Sequence, residues 1–283
     1  MGVPLENQLE FTDQHFNKLR SLLHQEAGIA LADIKKELMY GRLFRRIRNL
    51  NLSGFDDYLS LLEHRPEQEM GDFINSITTN LTGFFREEHH FHYLQNEVLP
   101  WIYQRHRVDK RIRIWSAGCS TGEEPYSIAM ALLESIPEPN KWDIQILATD
   151  IDSQVISTAS IGAYDAAAIA RLSPQRRQRW FEHGGQEKAG KMTIKRQARN
   201  LVTFKRMNLV DDWPMKTEFD AIFCRNVVIY FDSETKGRLF ARFAEHACPG
   251  GFLFIGHSES LFNLNDSFDL IGNTVYRKPG SDR

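Results

Sequence analysis

From its start to about residue 90 the chain repeats apolar positions at intervals of three and four, the spacing of one helix face, and sustains no period-two alternation. Phe16, Leu19, Leu22 and Leu23 begin one such stripe. The segment from Lys35 to Asn49 carries the clearest, with Met39, Tyr40, Leu43, Phe44 and Ile47 on one side and Lys35, Arg42, Arg45 and Arg46 on the other. Breaks at Ser53-Gly54 and Pro66 delimit further predicted helices through Tyr58 to Leu62 and Met70 to Thr78. A connecting helix is expected to reach about Arg107.

Beyond it, short apolar runs alternate with helix-period segments, which predicts a mainly parallel sheet with helices on both faces. Strands are expected at Ile112 to Ser116, Ile144 to Thr149, Leu201 to Met207, Phe219 to Cys224 and Phe252 to Ile255. Phe268 to Ile271 and Thr274 to Arg277 read as an edge hairpin around Gly272-Asn273. The stretch from Leu172 to Asn200 differs: Pro174 leads a polar helix, Gly184-Gly185 marks a turn, and Lys191 to Lys195 alternates, so a small strand-rich insertion is expected. The reading is an α/β protein with a helical domain over 1–90, a connecting segment over 91–110, and a sheet domain over 111–283 that contains the insertion at 172–200. No internal repeat or low-complexity tract interrupts it.

With 283 residues, 42% hydrophobic and 25% charged, the chain has the composition of an ordinary globular protein, which excludes wholesale disorder. Its longest apolar runs, Ile128 to Leu133 and Val227 to Phe231, fall far short of the ~20 residues of a membrane helix, so no insertion into a membrane is expected. The opening, Met1 to Phe11, lacks a basic start followed by an apolar stretch; no secretory leader and a cytoplasmic location are expected. Cys119, Cys224 and Cys248 form an odd set without CxxC spacing, against both a disulfide framework and a zinc knuckle. A net charge of -2 leaves no overall field for a polyanion, so an electrostatic partner requires a local patch. The Lys35 to Asn49 helix offers one, with six basic residues against the single acid Glu37.

Three motifs carry candidate chemistry. Arg113 to Ser127 is a strand entering a glycine-bearing turn and then a helix, where Gly118 and Gly122 would let the backbone approach a ligand. Thr121 and Glu124 have capping-box spacing, and Pro125 suits a first helical turn. The glycines do not match GxGxxG, and Glu123 and Glu124 stand where a pyrophosphate would sit. An acid there suits a ligand with a positive group, such as an amino-acid ammonium; an ordinary strand-to-helix turn is the alternative. Asp150 ends the next predicted strand, further along than the ~20 residues usual for an acid that holds ribose hydroxyls, with a helix-capping Asp as the alternative. Phe219 to Phe231 then delivers Arg225 and Asn226 to the carboxyl edge of the sheet, where open α/β sheets bind ligands. Ala247 to Gly251 reads as a structural turn.

Together, Thr79 to Glu87, Ser120 to Ser127, Thr149 to Asp152, Phe219 to Phe231 and Gly256 to Glu259 resemble class I methyltransferases that bind S-adenosylmethionine, and more closely the chemotaxis receptor methyltransferases of the CheR family. These segments span the chain from the N-terminal helices to the last hairpin. The resemblance implies a Rossmann-like catalytic domain in which Asn80, Thr82 and Arg86 reach the cofactor, with Arg86 for its carboxylate. It implies Glu123 for the methionine ammonium, Asp150 for the ribose, Asn208 and Leu209 beside the adenosine, and Gly118, Arg225 and Asn226 around the rest of the site. Tyr230 would lie near the point of methyl transfer, and Tyr230 and Arg86 would orient groups rather than exchange protons. No chemistry is assigned to Cys119.

The implied reaction moves a methyl group to a receptor glutamate, giving a methyl ester and S-adenosylhomocysteine. A glutamate with a pKa of about 4.3 is already ionised at neutral pH, so no general base is needed and positioning matters most, worth roughly 7 to 11 kcal/mol. Lys35, Arg42, Arg45 and Arg46 would dock on the acidic cytoplasmic helices of a membrane-bound chemoreceptor, where the plainer reading is a solvated helix face. The insertion corresponds to the family's small β-subdomain, which in some members grips a receptor C-terminal peptide.

Other readings fit less well. Glu88 and His92 stand one helical turn apart but lack the HExxH arrangement, so a polar helix face and no metal are expected. A nicotinamide oxidoreductase is opposed by the missing third glycine and the Glu123-Glu124 pair. A nucleic-acid methyltransferase is opposed by the overall acidity and by Arg225 to Val228, which lacks the Asx-Pro-Pro-aromatic motif of base-amine methylases; no nucleic acid is expected as a partner. A degenerate, non-enzymatic adaptor is opposed by the intact motif set.

Overall fold

Thr12 and His15 close a reciprocal cap at the start of helix α1 (Asp13–Ala27), and Gly28 ends it in the left-handed conformation at φ 69°. The computed structural model describes residues 9–185 and 190–280. The opening residues to Gln8, on which the leader expectation bears in part, lie outside that range. After a 3-10 turn (Asp33–Lys35) come α2 (Lys36–Asn49), α3 (Phe55–His64) and α4 (Pro66–Ile77). Their apolar stripes meet in one core: Phe16, Leu19 and Leu23 from α1, Met39, Leu43 and Ile47 from α2, Tyr58 and Leu62 from α3, Phe73 and Ile77 from α4. Each such burial contributes about 1.5–3 kcal/mol.

The basic side of α2 is not one uniform face. Arg46 turns to α4, with Nε and Nη2 on Glu69 at 2.8 and 2.5 Å and Nη2 on Asp72 at 2.5 Å. Glu69 is only 2% exposed and also accepts from the Tyr58 hydroxyl at 2.7 Å. Arg42 donates to the carbonyls of Ile77 and Thr78 and to Thr79 Oγ1, serving carbonyls that the end of α4 leaves unpaired. Lys35 and Arg45 are the exposed members of the set.

Contacts divide the chain into two units, and the helical one ends at Thr79, earlier than the boundary near 90 that the apolar pattern suggests. The reason is burial: Phe85, Phe91, Leu94 and Val98 continue the helical period but pack into the core of the sheet unit. The helical unit also takes in Tyr230–Asp232. Ala30 N–H donates to the Tyr230 carbonyl at 2.8 Å, Ile29 bridges to Phe231, and His24 meets Asp232 at 2.6 Å.

In the sheet unit, α5 (Glu88–Tyr93) passes through a π turn (Leu94–Val98) into α6 (Leu99–Arg105). There follow β1 (Arg111–Ala117), α7 (Glu123–Ser135), β2 (Asp143–Asp150) and α8 (Ser153–Ile161). Next are β3 (Ala163–Asp165), α9 (Pro174–Trp180), β4 (Phe181–His183), β5 (Lys191–Ile194), α10 (Arg196–Arg199) and β6 (Val202–Arg206). The chain ends with β7 (Phe219–Cys224), α11 (Ser233–His246), β8 (Ala247–Ile255), β9 (Asp269–Gly272) and β10 (Val275–Arg277). The main sheet has the order β6-β2-β1-β7-β8-β10-β9, parallel from β6 to β8, with β10 antiparallel to both β8 and β9. Ala247 to Gly251, expected as a turn, lies within β8: Phe219 pairs with Ala247 and Ala221 with Phe252, and a register shift between them absorbs the extra residues. The insertion forms a second sheet of order β3-β5-β4, and it starts at Ala163, before the expected Leu172, because β5 pairs back to β3. Gly184 N–H donates to the Lys191 carbonyl at 2.8 Å, while the remainder of the turn expected at Gly184-Gly185, residues 186–189, lies outside the described residues.

Strand β1 pairs with β2 on one side and β7 on the other, so the chain reverses its direction of travel across the sheet at β1. A crevice at the carboxyl ends of these strands is where open α/β sheets take ligands.

The pairing of Arg46 with Glu69 gives a stability test. Arg46→Ala leaves a buried carboxylate uncompensated and is expected to cost about 3–5 kcal/mol in urea unfolding, while adding Glu69→Leu should recover a good part of it.

Candidate active site

The loops that follow β1, β2 and β7 build the site. After β1 the backbone turns sharply, with Gly118 at φ 85°, Ser120 at 49° and Gly122 at 97°. A Cβ on Gly118 would stand 2.3 Å from Val227 Cγ2, and one on Gly122 would stand 2.8 Å from Ala159 Cβ and 2.9 Å from the Tyr164 hydroxyl. Both glycines are therefore required by close approach of the protein to itself, a reason the sequence reading assigned to a ligand. Tyr164, from β3, donates to the Thr121 carbonyl at 2.7 Å and so braces the turn from the small sheet.

Asp150 closes this turn from β2. Its Oδ2 accepts from Ser120 N–H at 2.8 Å and its Oδ1 from Asp152 N–H at 3.0 Å. Burial pushes its pKa up against those two bonds, and its remaining lone pairs suit hydroxyl donors such as those of a ribose. Asp152 caps α8 through Gln154 and Val155 N–H and takes Asn80 Nδ2 at 2.8 Å, while the Asn80 carbonyl accepts from Ser120 Oγ at 3.0 Å. Asn80 is thus brought to the end of β2 together with Asp150.

Glu123 and Glu124 open α7 but have different surroundings. Gly122 is the N-cap residue and no side-chain cap forms, so the expected capping box is absent. The Thr121 hydroxyl donates instead to Glu123 at 2.6 Å, and burial raises the Glu123 pKa. Among the described residues Glu123 has no ion pair, so a buried acid is left suited to a ligand ammonium. Glu124 points the other way, accepting from Ser116 Oγ at 2.7 Å and from Arg225 Nη1 at 3.1 Å.

Arg225, at the end of β7, is buried between Glu124 and Glu87, with Nη2 3.3 Å from Glu87 Oε2 and bonded to the Arg86 carbonyl. Burial pushes the Glu87 carboxyl up, but the hydrogen bond from His257 and the Arg225 charge outweigh it and hold the group at about 2. Arg225 is thus committed to two carboxylates, where the resemblance placed it in the wall of the cofactor site. Asn226 adopts φ 58°, with its N–H on Glu259 Oε2 at 2.9 Å and its Nδ2 3.5 Å from Glu87 Oε1. Arg86 is half-buried and donates to the Leu81 carbonyl at 2.9 Å; Thr82 is half-buried beside it in sequence. Leu209 is buried, and Asn208 Oδ1 accepts from Val210 N–H at 3.3 Å. Tyr230 falls in the helical unit by its contacts.

Glu88 and His92 stand 3.8 Å apart on an exposed face. A tighter group, Glu87, His89 and His90, brings its ligand-capable atoms within 4.8 Å of one another, and the Arg225 guanidinium already supplies a cation to Glu87 there. The residues that sequence reasoning missed are Glu87, Glu124, Asp152 and Glu259. Glu124 and Glu259 lie near Gly122 and Gly256, but Glu87 and Asp152 have no such marker, and the partners Arg225, Asn226 and Asn80 lie far along the chain.

Burial first, then the charges of Arg225 and His89, hold His90 at about 3, while its Nε2 bonds the Thr274 hydroxyl at 3.0 Å. The folded value lies below the unfolded one of about 6.5, so the stability this group contributes is complete above that pH and is lost as the pH falls toward the folded value. Unfolding titrations from pH 6.5 down to about 5 should show the wild type losing stability faster than His90→Gln, by up to ~1.4 kcal/mol per pH unit.

Comparison with known proteins agrees with this geometry. Residues 14–78 match the family model described as "CheR methyltransferase, all-alpha domain", and residues 80–277 match "CheR methyltransferase, SAM binding domain". The chain is similar to a probable chemotaxis protein methyltransferase of Rhizobium etli, 43% identical over 90% of this chain and 96% of that one. It is similar also to the chemotaxis protein methyltransferase of Escherichia coli, 42% identical over 97% of this chain and 94% of the other, and to chemotaxis protein methyltransferase 2 of Pseudomonas aeruginosa, 41% identical over 95% and 94%. The cofactor is S-adenosylmethionine, as the matched SAM binding domain shows. With both of its domains matched and near-complete relatives above 40% identity, the chain belongs to the CheR methyltransferase family, a group of S-adenosylmethionine-dependent enzymes of chemotaxis.

Proposed function

We propose that this enzyme methylates glutamate side chains on the cytoplasmic helices of chemoreceptors, itself residing in the cytoplasm and recruited to those membrane-bound partners. The observation that supports the cofactor pose most directly is Glu123, a buried acid at the head of α7 with no ion pair among the described residues. Bound S-adenosylmethionine supplies the methyl group from its sulfonium and leaves as S-adenosylhomocysteine. Glu123 holds the ammonium, Asp150 the ribose hydroxyls, and Arg86 the carboxylate. Asn80 and Thr82, on the segment that enters the sheet unit, close over the cofactor, and Asn208 and Leu209 flank the adenosine. Gly118 forms the turn beneath it. Asn226 completes the wall, held from behind by Arg225.

The acceptor carboxylate is ionised at neutral pH, so these residues need only position it, and Tyr230 orients it at the reacting end. Among the described residues no helix is long and apolar enough to cross a membrane. The small sheet has β3 and β4 at its two edges, where an extended receptor peptide can add a strand.

The test is to incubate the protein with methyl-labelled S-adenosylmethionine and the cytoplasmic fragment of a chemoreceptor. Label released as methanol by mild alkali is the expected result; label that resists alkali would assign a different acceptor.

Of Lys35, Arg42, Arg45 and Arg46, docking narrows to Lys35 and Arg45, which the fold leaves exposed. Lys35→Ala with Arg45→Ala is expected to weaken receptor methylation several-fold, more at low than at high salt, with cofactor affinity and melting unchanged. Arg42 and Arg46, spent on α4, should instead show their effect in the melting temperature.

A further inference from the structure

We propose that Glu259 is a positioning residue for the acceptor side of the reaction, holding the loop after β7 in the shape that presents Tyr230. The proposal deepens the function given above and rests on it for the role of Tyr230.

Glu259 is 6% exposed, and among the described residues it has no ion pair. Its charge is met by backbone N–H groups: Oε2 accepts from Gly256 at 2.5 Å and Asn226 at 2.9 Å, and Oε1 accepts from Ile229 at 3.2 Å. A carboxylate buried without a cation is costly, so these donors cannot drift from it without exposing that cost. Two of them, Asn226 and Ile229, belong to the loop that continues directly into Tyr230, and the second lies inside the 3-10 turn Val228–Tyr230. Asn226 is held at φ 58°, the left-handed region that asparagine tolerates better than most residues, and its N–H is thereby turned to the carboxylate.

Gly256 gives an independent handle on the same contact. Its backbone is not in the left-handed region, yet a Cβ there would stand 2.5 Å from Asn226 Nδ2 and 2.9 Å from both Asn226 N and Glu259 Oε2. The glycine is required by space alone, and a methyl group would push the loop away from Glu259 without altering the carboxylate. None of these bonds involves Glu123 or Asp150, so of the residues assigned to the cofactor only Asn226 is shared with the hold of Glu259.

Glu259→Gln and Gly256→Ala, each in the full chain, test the assignment by three readouts: S-adenosylmethionine affinity by calorimetry, kcat for receptor-fragment methylation, and amide exchange at Asn226, Ile229 and Gly256. The expected result is faster exchange at those amides, kcat lowered ~10- to 100-fold as for a displacement near 1 Å, and a loss of cofactor affinity below about tenfold, carried by Asn226 alone. Unchanged exchange, unchanged kcat, or cofactor affinity falling in step with kcat would each overturn it. Should Glu259→Gln fail to fold, Gly256→Ala carries the test. If the wild type itself transfers no alkali-labile methyl group, the reading of the function fails, and exchange with cofactor affinity still judges the hold of Glu259 on the loop.

Discussion

The guanidinium of Arg225 joins three stretches that are far apart in the chain: the end of β7, the first turn of α7 through Glu124, and the approach to α5 through Glu87 and the Arg86 carbonyl. Within the sheet unit the strand ends, the turn after β1 and the segment bearing Asn80 to Arg86 thereby share one fixed point. Breaking a buried pair of this kind typically costs about 3–5 kcal/mol, because the abandoned charge cannot find water. His90 beside it is held neutral by burial and by the Arg225 charge.

Backbone strain gathers around the same point. Phe85, Glu87, Ser120 and Asn226 all take positive φ, and three of the four bond or adjoin a group in the Arg225 network. Conformations like these persist only where surrounding contacts over-determine them, and they are frequent where a site must be ready before its ligand arrives. Ser120 illustrates the trade: its unfavourable φ aims its N–H at Asp150 and its hydroxyl at Asn80.

Much of the architecture was legible from periodicity. The change from three-and-four spacing to short alternating runs located every parallel strand, and β7 emerged with its expected ends, because a strand buried on both faces is a continuous apolar run between polar ones. Ala247 to Gly251 misled because glycine and proline mark turns in sequence, whereas a register shift lets β8 carry them inside a ladder. The turn after β1 was legible in its glycines, with Asp150 at the end of β2 and Glu123 at the head of α7. The roles of Arg42, Arg46 and Arg225 were not legible, since an arginine reads alike in sequence whether it faces water or a buried acid. Their partners lie on other elements, Glu69 on α4 and Glu124 on α7, and nothing local announces them.

The short return of Tyr230–Asp232 into the helical unit bears on how this enzyme can be taken apart. The two matched segments, 14–78 and 80–277, look like separate modules along the sequence. Yet the bridge from Ile29 to Phe231 and the bond from Ala30 to Tyr230 mean that the helical unit is completed by residues encoded far downstream of its own last helix. A gene fragment cut at the boundary would yield a helical piece with an open backbone edge. Recombination between relatives would face the same constraint: an exchanged helical segment must match the three residues supplied by its new host, which ties the evolution of the two parts together.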